Sequence, residues 1–193
     1  MRQNSNGVFF SQNLRMSPSE RPIKVLFICY GNRCRSPAAE AYARKYARDH
    51  KLDKMFEFSS AGFNSLFCAA DPNTIHILRE EDDIDLSNFT SQNLHRDMIV
   101  EADYILTMER AQRDMLRGCY AAIPRVNEKI FTLKEMAEQG PDPDGSIPDP
   151  YDEPLDRYKT IIHEIKLYIP WVIEAILRRE HKTNSYNPHP VNE

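Results

Sequence analysis

The sequence predicts an α/β protein of three layers, a doubly wound, four-stranded parallel sheet with helices on both faces. Three observations lead there. Four short β-rich runs, KVLFI (24–28), FEFSSAG (56–62), YILTM (104–108) and KIFTL (129–133), alternate with segments of helical pattern. Runs such as KVLFI and YILTM are continuously apolar, as strands covered on both faces are, where half-exposed strands would alternate. The chain of 193 residues is long enough for one such domain to bury a real core.

Each element has its own signal. Residues 1–21 are polar and aperiodic and read as a flexible N-terminal arm. After the first strand, Ser36-Pro37 reads as a helix start, serine at the N-cap and proline at the first helical position, with AAEAYARKYARD carrying the helix to about Asp49. FEFSSAG is the second strand and ends in a glycine turn. Asp71-Pro72 opens a helix over NTIHILREED, and a short helical stretch follows near 90–100. YILTM is the third strand, with ERAQRDMLR a helix after it. KIFTL is the fourth and merges into a short helix, KEMAE. The loop QGPDPDGSIPDPYDEP (139–154) is rich in proline and acid. From Leu155, apolar residues at 155, 158, 162, 165, 169, 172 and 176 recur at spacings of three and four, the pattern of an amphipathic helix. Pro170 lies inside it and is expected to kink or split it. Residues 22–180 form a single domain, and 181–193 read as a disordered C-terminal tail.

Composition narrows the class. A hydrophobic fraction of 41% and a charged fraction of 28% are ordinary for a globular domain. A net charge of -4 gives no reason to expect nucleic acid or an anionic membrane as partner. No stretch reaches the ~20 apolar residues of a membrane span, and the first residues have no apolar signal-peptide core. The expected setting is cytoplasmic, with the four cysteines present as thiols.

Ligands in doubly wound folds sit beyond the carboxyl ends of the strands. The segment there after the first strand is ICYGNRCRSPAAE (28–40). As a metal clip it supplies two ligands, Cys29 and Cys34, without partners at ligand spacing. As plain packing it leaves Arg33, Arg35 and Asn32 without a reason. As an anion cradle it uses them all. A loop from a strand end to a helix N-terminus turns backbone N–H groups inward, and the helix dipole adds positive charge. Gly31 tolerates positive φ, and Asn32 fits the same curve. The planar fork of Arg35 clamps two oxygens of an oxyanion. That field favours the thiolate of Cys29, to which Ser36 can donate a hydrogen bond.

CYGNRCRSPAAE after VLFI resembles the phosphate-binding loop of the low-molecular-weight protein tyrosine phosphatase family, C-x-G-N-x-C-R-S-P-x-A-E. The resemblance extends over roughly residues 23–179 through SSAG (59–62), ADP (70–72), IDLS (84–87), DYILTM (103–108) and DPY (149–151). It implies a flavodoxin-like fold and hydrolysis of phosphotyrosine in protein substrates, without metal or cofactor. Cys29 would attack phosphorus and form a cysteinyl-phosphate. Arg35 and the N–H groups along Tyr30, Gly31, Asn32, Arg33, Cys34 and Arg35 would hold the phosphoryl oxygens. Asn32 would lock the loop, with Ser36 and Ser60 supporting it. Asp149 would be the general acid and then the general base.

Residue types alone do not select that acid. Pro-Asp-Pro occurs at 141–143 and at 148–150, and either aspartate suits a plain turn. The family pattern selects Asp149, which precedes an aromatic and the last helix, over Asp142. Cys34 suggests a reversible disulfide with Cys29 that would protect the nucleophile from oxidation. Tyr30, Tyr151 and the aromatics of GFNSLF (62–67) are candidate walls for a phenyl ring, and Cys68 and Cys119 have no partner motif.

The sequence departs from the pattern at three places. Arg33 stands where tyrosine-specific members carry an apolar residue and protein-arginine phosphatases a threonine. Phe89 stands near a histidine of many members, and Asp152 follows Tyr151 where an aromatic or small residue is commoner. IFTLKEMAE and IPDPYDEPLDRYK resemble the arginine-phosphatase branch of bacteria. Phosphotyrosine is the first expectation and phosphoarginine the second. A thiol-dependent arsenate reductase would need a relay of further cysteines, and a non-catalytic phosphate-binding module would not need Cys29, Arg35 and an acid together.

Overall fold

The computed structural model describes residues 21–185, apart from 67, 139, 141, 143 and 144 and the side chains of 182–185. Its strands are β1 (Ile23–Cys29), β2 (Phe56–Gly62), β3 (Tyr104–Thr107) and β4 (Ile130–Thr132). Its helices are α1 (Arg35–Asp49), α2 (Pro72–Asp82), α3 (Arg96–Glu101), α4 (Arg110–Cys119), α5 (Leu133–Met136) and α6 (Leu155–Ser185).

All strand pairs are parallel, in the order β2-β1-β3-β4. From β1 the chain adds β2 on one side, then crosses over to add β3 and β4 on the other. The order therefore reverses between β1 and β3, which is where a doubly wound sheet opens a crevice. Cys29, the last residue of β1, lies at that point, paired in register with Gly62 of β2.

Alternation along each strand builds two cores. Val25, Phe27 and Cys29 of β1, with Tyr104 and Leu106 of β3, face the cluster that α1, α2, α5 and α6 complete. Leu26, Ile28 and Ile105 face the opposite cluster with Ile99 of α3 and Leu116 of α4. Both faces are dry, which is why the strands read as continuous apolar runs.

Two helix starts, those of α2 and α5, follow local chemistry. Asp71 caps α2, its carboxylate accepting the Asn73 N–H at 3.0 Å, and Pro72 takes the first turn. Thr132 and Glu135 close a capping box at α5, with bonds of 3.0 and 2.8 Å. Ser36 does not cap α1: the helix begins two residues earlier than expected, at Arg35, with Cys34 at the N-cap and no side-chain cap. The Ser36 hydroxyl is engaged by Cys29 and Asn32 instead.

Three boundaries differ from expectation. Arg21, assigned to the arm, is anchored by both guanidinium nitrogens to Asp103 at 2.6 and 2.7 Å, a two-point pairing that ties the start of β1 to the start of β3. Helix α6 is not split at Pro170. The carbonyl that Pro170 leaves without a donor belongs to exposed Lys166, where water can reach it. Buried Ile165, Ile169, Val172 and Ile173 hold both halves on the sheet. The helix also runs past residue 180 to Ser185, into the expected tail. Residues 1–20 and 186–193 lie outside the described residues. Among the described residues, no helix is long and apolar enough to cross a membrane.

Candidate active site

Five residues, Tyr30 to Cys34, carry the chain from β1 to α1, and every one of their carbonyls is occupied by a flanking segment. Tyr30 O accepts from Asn64 N at 3.0 Å, Arg33 O from Asp71 N at 2.9 Å and Cys34 O from Ala38 N at 3.3 Å. Gly31 O accepts from Ser65 Oγ at 3.3 Å and Asn32 O from Ser91 Oγ at 2.8 Å. Carbonyls held by flanking segments in this way are what an anion nest requires, because they leave a loop's N–H groups free for a ligand.

The curl is made at Asn32, whose φ is 52°; Gly31 does not adopt positive φ. Asparagine tolerates this conformation because its short polar side chain bonds locally. Here Asn32 Nδ2 donates to Ser36 Oγ and to Ser60 Oγ, both at 2.9 Å, and Oδ1 accepts from Gln92 N at 2.9 Å. The Ser60 hydroxyl in turn donates to Glu40 Oε2 at 2.7 Å. Ser36 Oγ lies 3.1 Å from Cys29 Sγ. Asn32 donates to the Ser36 hydroxyl, whose own proton faces two acceptors, Cys29 Sγ at 3.1 Å and Ala61 O at 3.5 Å. Asn32, Ser36 and Ser60 thus come together as expected. Ser91, Gln92 and Glu40 join them unforeseen, and Ser91 and Gln92 brace the loop from the segment where Phe89 departs from the family pattern.

Gly62 has a steric task that the sequence did not announce. A Cβ there would lie 2.7 Å from Asn32 N and 2.8 Å from both Gly31 C and Tyr30 O. The end of β2 is the floor on which the loop rests.

Arg35 enters the site from the first turn of α1 with its guanidinium 1% exposed. Nη1 donates to Glu109 Oε1 at 2.5 Å and to Ile147 O at 3.1 Å, and Nη2 donates to Asp149 Oδ2 at 2.6 Å. Gln112 Nε2 orients the same Glu109 oxygen at 2.8 Å. Among the described residues, Arg35 Nε has no partner. Arg35 is thus a buried cation between two carboxylates, with one N–H unspent. Glu109 is a second carboxylate on Arg35 that sequence reasoning missed.

The two Pro-Asp-Pro aspartates part company in space. Asp149 is half-exposed, bonded to Arg35 and, through Oδ1, to Tyr151 N at 3.3 Å. Asp142 pairs with Lys134 at 3.2 Å and does not line the site. A cleft of about 250 Å³ is bounded by Cys29, Tyr30, Gly31, Arg33, Cys34 and Arg35 and closed by Asn64, Leu66, Asp149 and Tyr151. Tyr30, Leu66 and Tyr151 are exposed large side chains, so its rim is apolar while its floor is polar. In GFNSLF, Asn64 and Leu66 reach the cleft, Phe63 packs against the α3–α4 core, and Phe67 lies outside the described residues.

Arg33 does not project into solvent. Its Nε donates to Ala69 O at 3.3 Å and its guanidinium lies 3.8 Å from Asp71, the cap of α2, so it lies along the cleft wall. Cys34 is buried, and burial, opposed by the Tyr158 hydroxyl, pushes its thiol up to about 12. That hydroxyl in turn bonds Thr74 Oγ1 at 2.7 Å. Cys29 and Cys34 are both free thiols; Cys68 and Cys119 are exposed.

Comparison with known proteins bears on the whole of this arrangement. The family model described as low molecular weight phosphotyrosine protein phosphatase matches residues 24–182. A protein-arginine-phosphatase of Geobacillus stearothermophilus is 30% identical over 156 residues, covering 80% of this chain and 97% of the relative. A low molecular weight protein-tyrosine-phosphatase of Staphylococcus aureus is 27% identical over 143 residues, covering 74% and 91%. Among solved structures, an arginine phosphatase with serine in place of a cysteine, and its active-site serine phosphorylated, superposes with a TM-score of 0.71 at 26% identity. It covers 82% of this chain and 99% of that one. The match spans the fold from β1 to α6, so this chain belongs to the low molecular weight phosphotyrosine protein phosphatase family, hydrolases of phosphoric monoesters.

Proposed function

We propose that the protein hydrolyses phosphotyrosine in protein substrates through a cysteinyl-phosphate. The observation that carries this reading is the convergence of Cys29, the Arg35 guanidinium and Asp149 on one cleft with a rim of Tyr30, Leu66 and Tyr151. The phosphoryl group fits the nest above Cys29, with its oxygens on the loop N–H groups and Arg35. The Cys29 thiolate attacks phosphorus. As the bond from phosphorus to the phenolic oxygen breaks, Asp149 in its acid form gives that oxygen a proton. Water then attacks the cysteinyl-phosphate and Asp149 takes its proton. The sulfur leaves as a thiolate stabilised by the Ser36 hydroxyl, and inorganic phosphate is released. The serine-phosphorylated arginine phosphatase similar to this chain supports a covalent phosphoryl group at the equivalent place.

Phosphoarginine is the second reading, favoured by the protein-arginine-phosphatase relative. Arg33 weighs against it. A guanidinium along the cleft wall disfavours a second guanidinium in the substrate and accepts a neutral phenyl ring. The test is kcat/KM on matched phosphotyrosine, phosphoarginine and phosphoserine peptides, with Cys29→Ser as control. Phosphotyrosine is expected to be fastest and Cys29→Ser to be inactive. A phosphoarginine preference overturns the substrate assignment, and wild-type turnover by Cys29→Ser overturns the nucleophile.

A further inference from the structure

The first Pro-Asp-Pro triplet has no part in the chemistry above, yet its aspartate is held by one of the few buried charges among the described residues. Lys134 of α5 is 6% exposed, and its ammonium lies 3.2 Å from Asp142 and 2.6 Å from Glu164 of α6. It also sits 5.3 Å from the centre of the Tyr168 ring. A buried ammonium is costly unless it is paired on several sides, and this one is. The Tyr168 hydroxyl accepts the Asp142 N–H at 2.9 Å and lies 3.3 Å from the Asp142 carbonyl. Gly145 completes the fit, because a Cβ there would fall on the Asp142 carboxylate.

These contacts fasten one leg of the segment that carries Asp149. The other fastening comes just before Asp149. The Ile147 side chain is fully buried, its N–H donates to Met108 O at 2.8 Å, and its carbonyl accepts from Arg35 at 3.1 Å. Between Asp142 and Ile147 the described residues add Gly145 N, which donates to Asp142 O at 3.4 Å, and the Ser146 hydroxyl, which accepts from Arg110 N at 3.2 Å. We propose that Lys134, with Tyr168 and Glu164, is a positioning clamp that holds Asp142 against α5 and α6 and thereby sets where Asp149 stands over the leaving-group oxygen. Lys134 touches no reacting atom. It acts through the course of the loop, and the inference rests on reading Asp149 as the acid.

Proton donation matters most for a basic leaving group, so a misplaced acid shows in the leaving-group dependence of kcat/KM. The experiment compares p-nitrophenyl phosphate with phenyl phosphate for the wild type, Lys134→Met, Tyr168→Phe and Asp149→Asn, with thermal unfolding of each. General acid catalysis contributes about 10²–10⁴-fold, so Asp149→Asn is expected to lose about 100-fold more on phenyl phosphate than on p-nitrophenyl phosphate. The clamp variants are expected to lose about 5- to 10-fold more on phenyl phosphate, the scale of a sub-ångström misplacement. A residue that only stabilised the fold would lower the unfolding temperature and leave the ratio of the two rates unchanged. Should Lys134→Met not fold, Tyr168→Phe keeps the ring against the ammonium and removes only the hydroxyl that holds Asp142. If Asp149→Asn shifts the ratio and the folded clamp variants do not, the clamp is refuted alone. If Asp149→Asn leaves the ratio unchanged, the acid assignment is refuted and the clamp with it.

Discussion

Gly62→Ala adds one methyl group at the end of β2, outside the cleft, and should damage the phosphate loop more than most changes inside it. The new carbon would stand 2.7 Å from Asn32 N, whereas ordinary contact begins at 3.4 Å, so one side must move by about 0.7 Å (3.4 minus 2.7). All three atoms it meets are loop backbone, and they have little freedom. If that displacement ran along the bond from Asn32 Nδ2 to Ser60, at 2.9 Å, it would stretch the bond to about 3.6 Å, beyond hydrogen-bond range. Overpacking together with one or two weakened buried bonds should cost about 2–3 kcal/mol. A shift of this size in groups proposed to hold the phosphoryl oxygens should lower kcat/KM by about 10- to 100-fold. Urea unfolding and p-nitrophenyl phosphate turnover measure the two effects. Gly31→Ala is the internal control for stability: its Cβ would have no neighbour closer than 3.9 Å and its φ is not positive, so it should unfold within about 0.5 kcal/mol of wild type. A Gly62→Ala protein with wild-type stability and rate, or a Gly31→Ala protein as damaged as it, would refute the reasoning.

Two further predictions concern the same loop. Asn32→Ala and Asn32→Gly lose the same three side-chain bonds, but only alanine also bears the left-handed strain, so the alanine variant should be less stable by about 1 kcal/mol in urea unfolding; equal stabilities would remove the argument from φ. Cys34, pushed from an ordinary 9.0 to about 12, stays protonated in the folded state at a pH where the unfolded thiol ionises. Above pH 9 the unfolded state therefore binds fewer protons, and stability falls with rising pH by up to about 1.4 kcal/mol per pH unit. The loss is absent below pH 9 and complete near pH 12. Buried Tyr42, Tyr104 and Tyr158, raised from an ordinary 10.0, add to the decline as pH approaches 10, so Cys34→Ala should flatten its first part, near pH 9, and an unchanged slope there in urea melts would contradict the burial argument.

What the sequence made legible follows a physical division. Elements whose cause is local or periodic were readable. The strands show because both faces are dry, α2 because Asp71-Pro72 is a start signal by itself, and α6 because its apolar spacing outweighs one proline. Misreadings occurred where one residue type serves two ends. Ser36 before Pro37 is as good a cap as it is a hydrogen-bond donor to Cys29, and the local pattern cannot say which tertiary partner takes the hydroxyl. Gly31 was the natural place for a positive φ, yet Asn32 takes it, because its side chain has Ser36, Ser60 and Gln92 to bond and glycine has none. The rest was hidden because its cause lies far along the chain. Glu109 looks like any acidic residue at a helix start until Arg35 is found beside it. Arg33 looks like a solvent-facing charge until α2 brings Asp71 to it. The two Pro-Asp-Pro triplets make the sharpest case: their local chemistry is the same, so nothing within either could separate them. Lys134 claims one aspartate and Arg35 the other, and that difference in partner is what keeps Asp142 off the cleft and sets Asp149 on it.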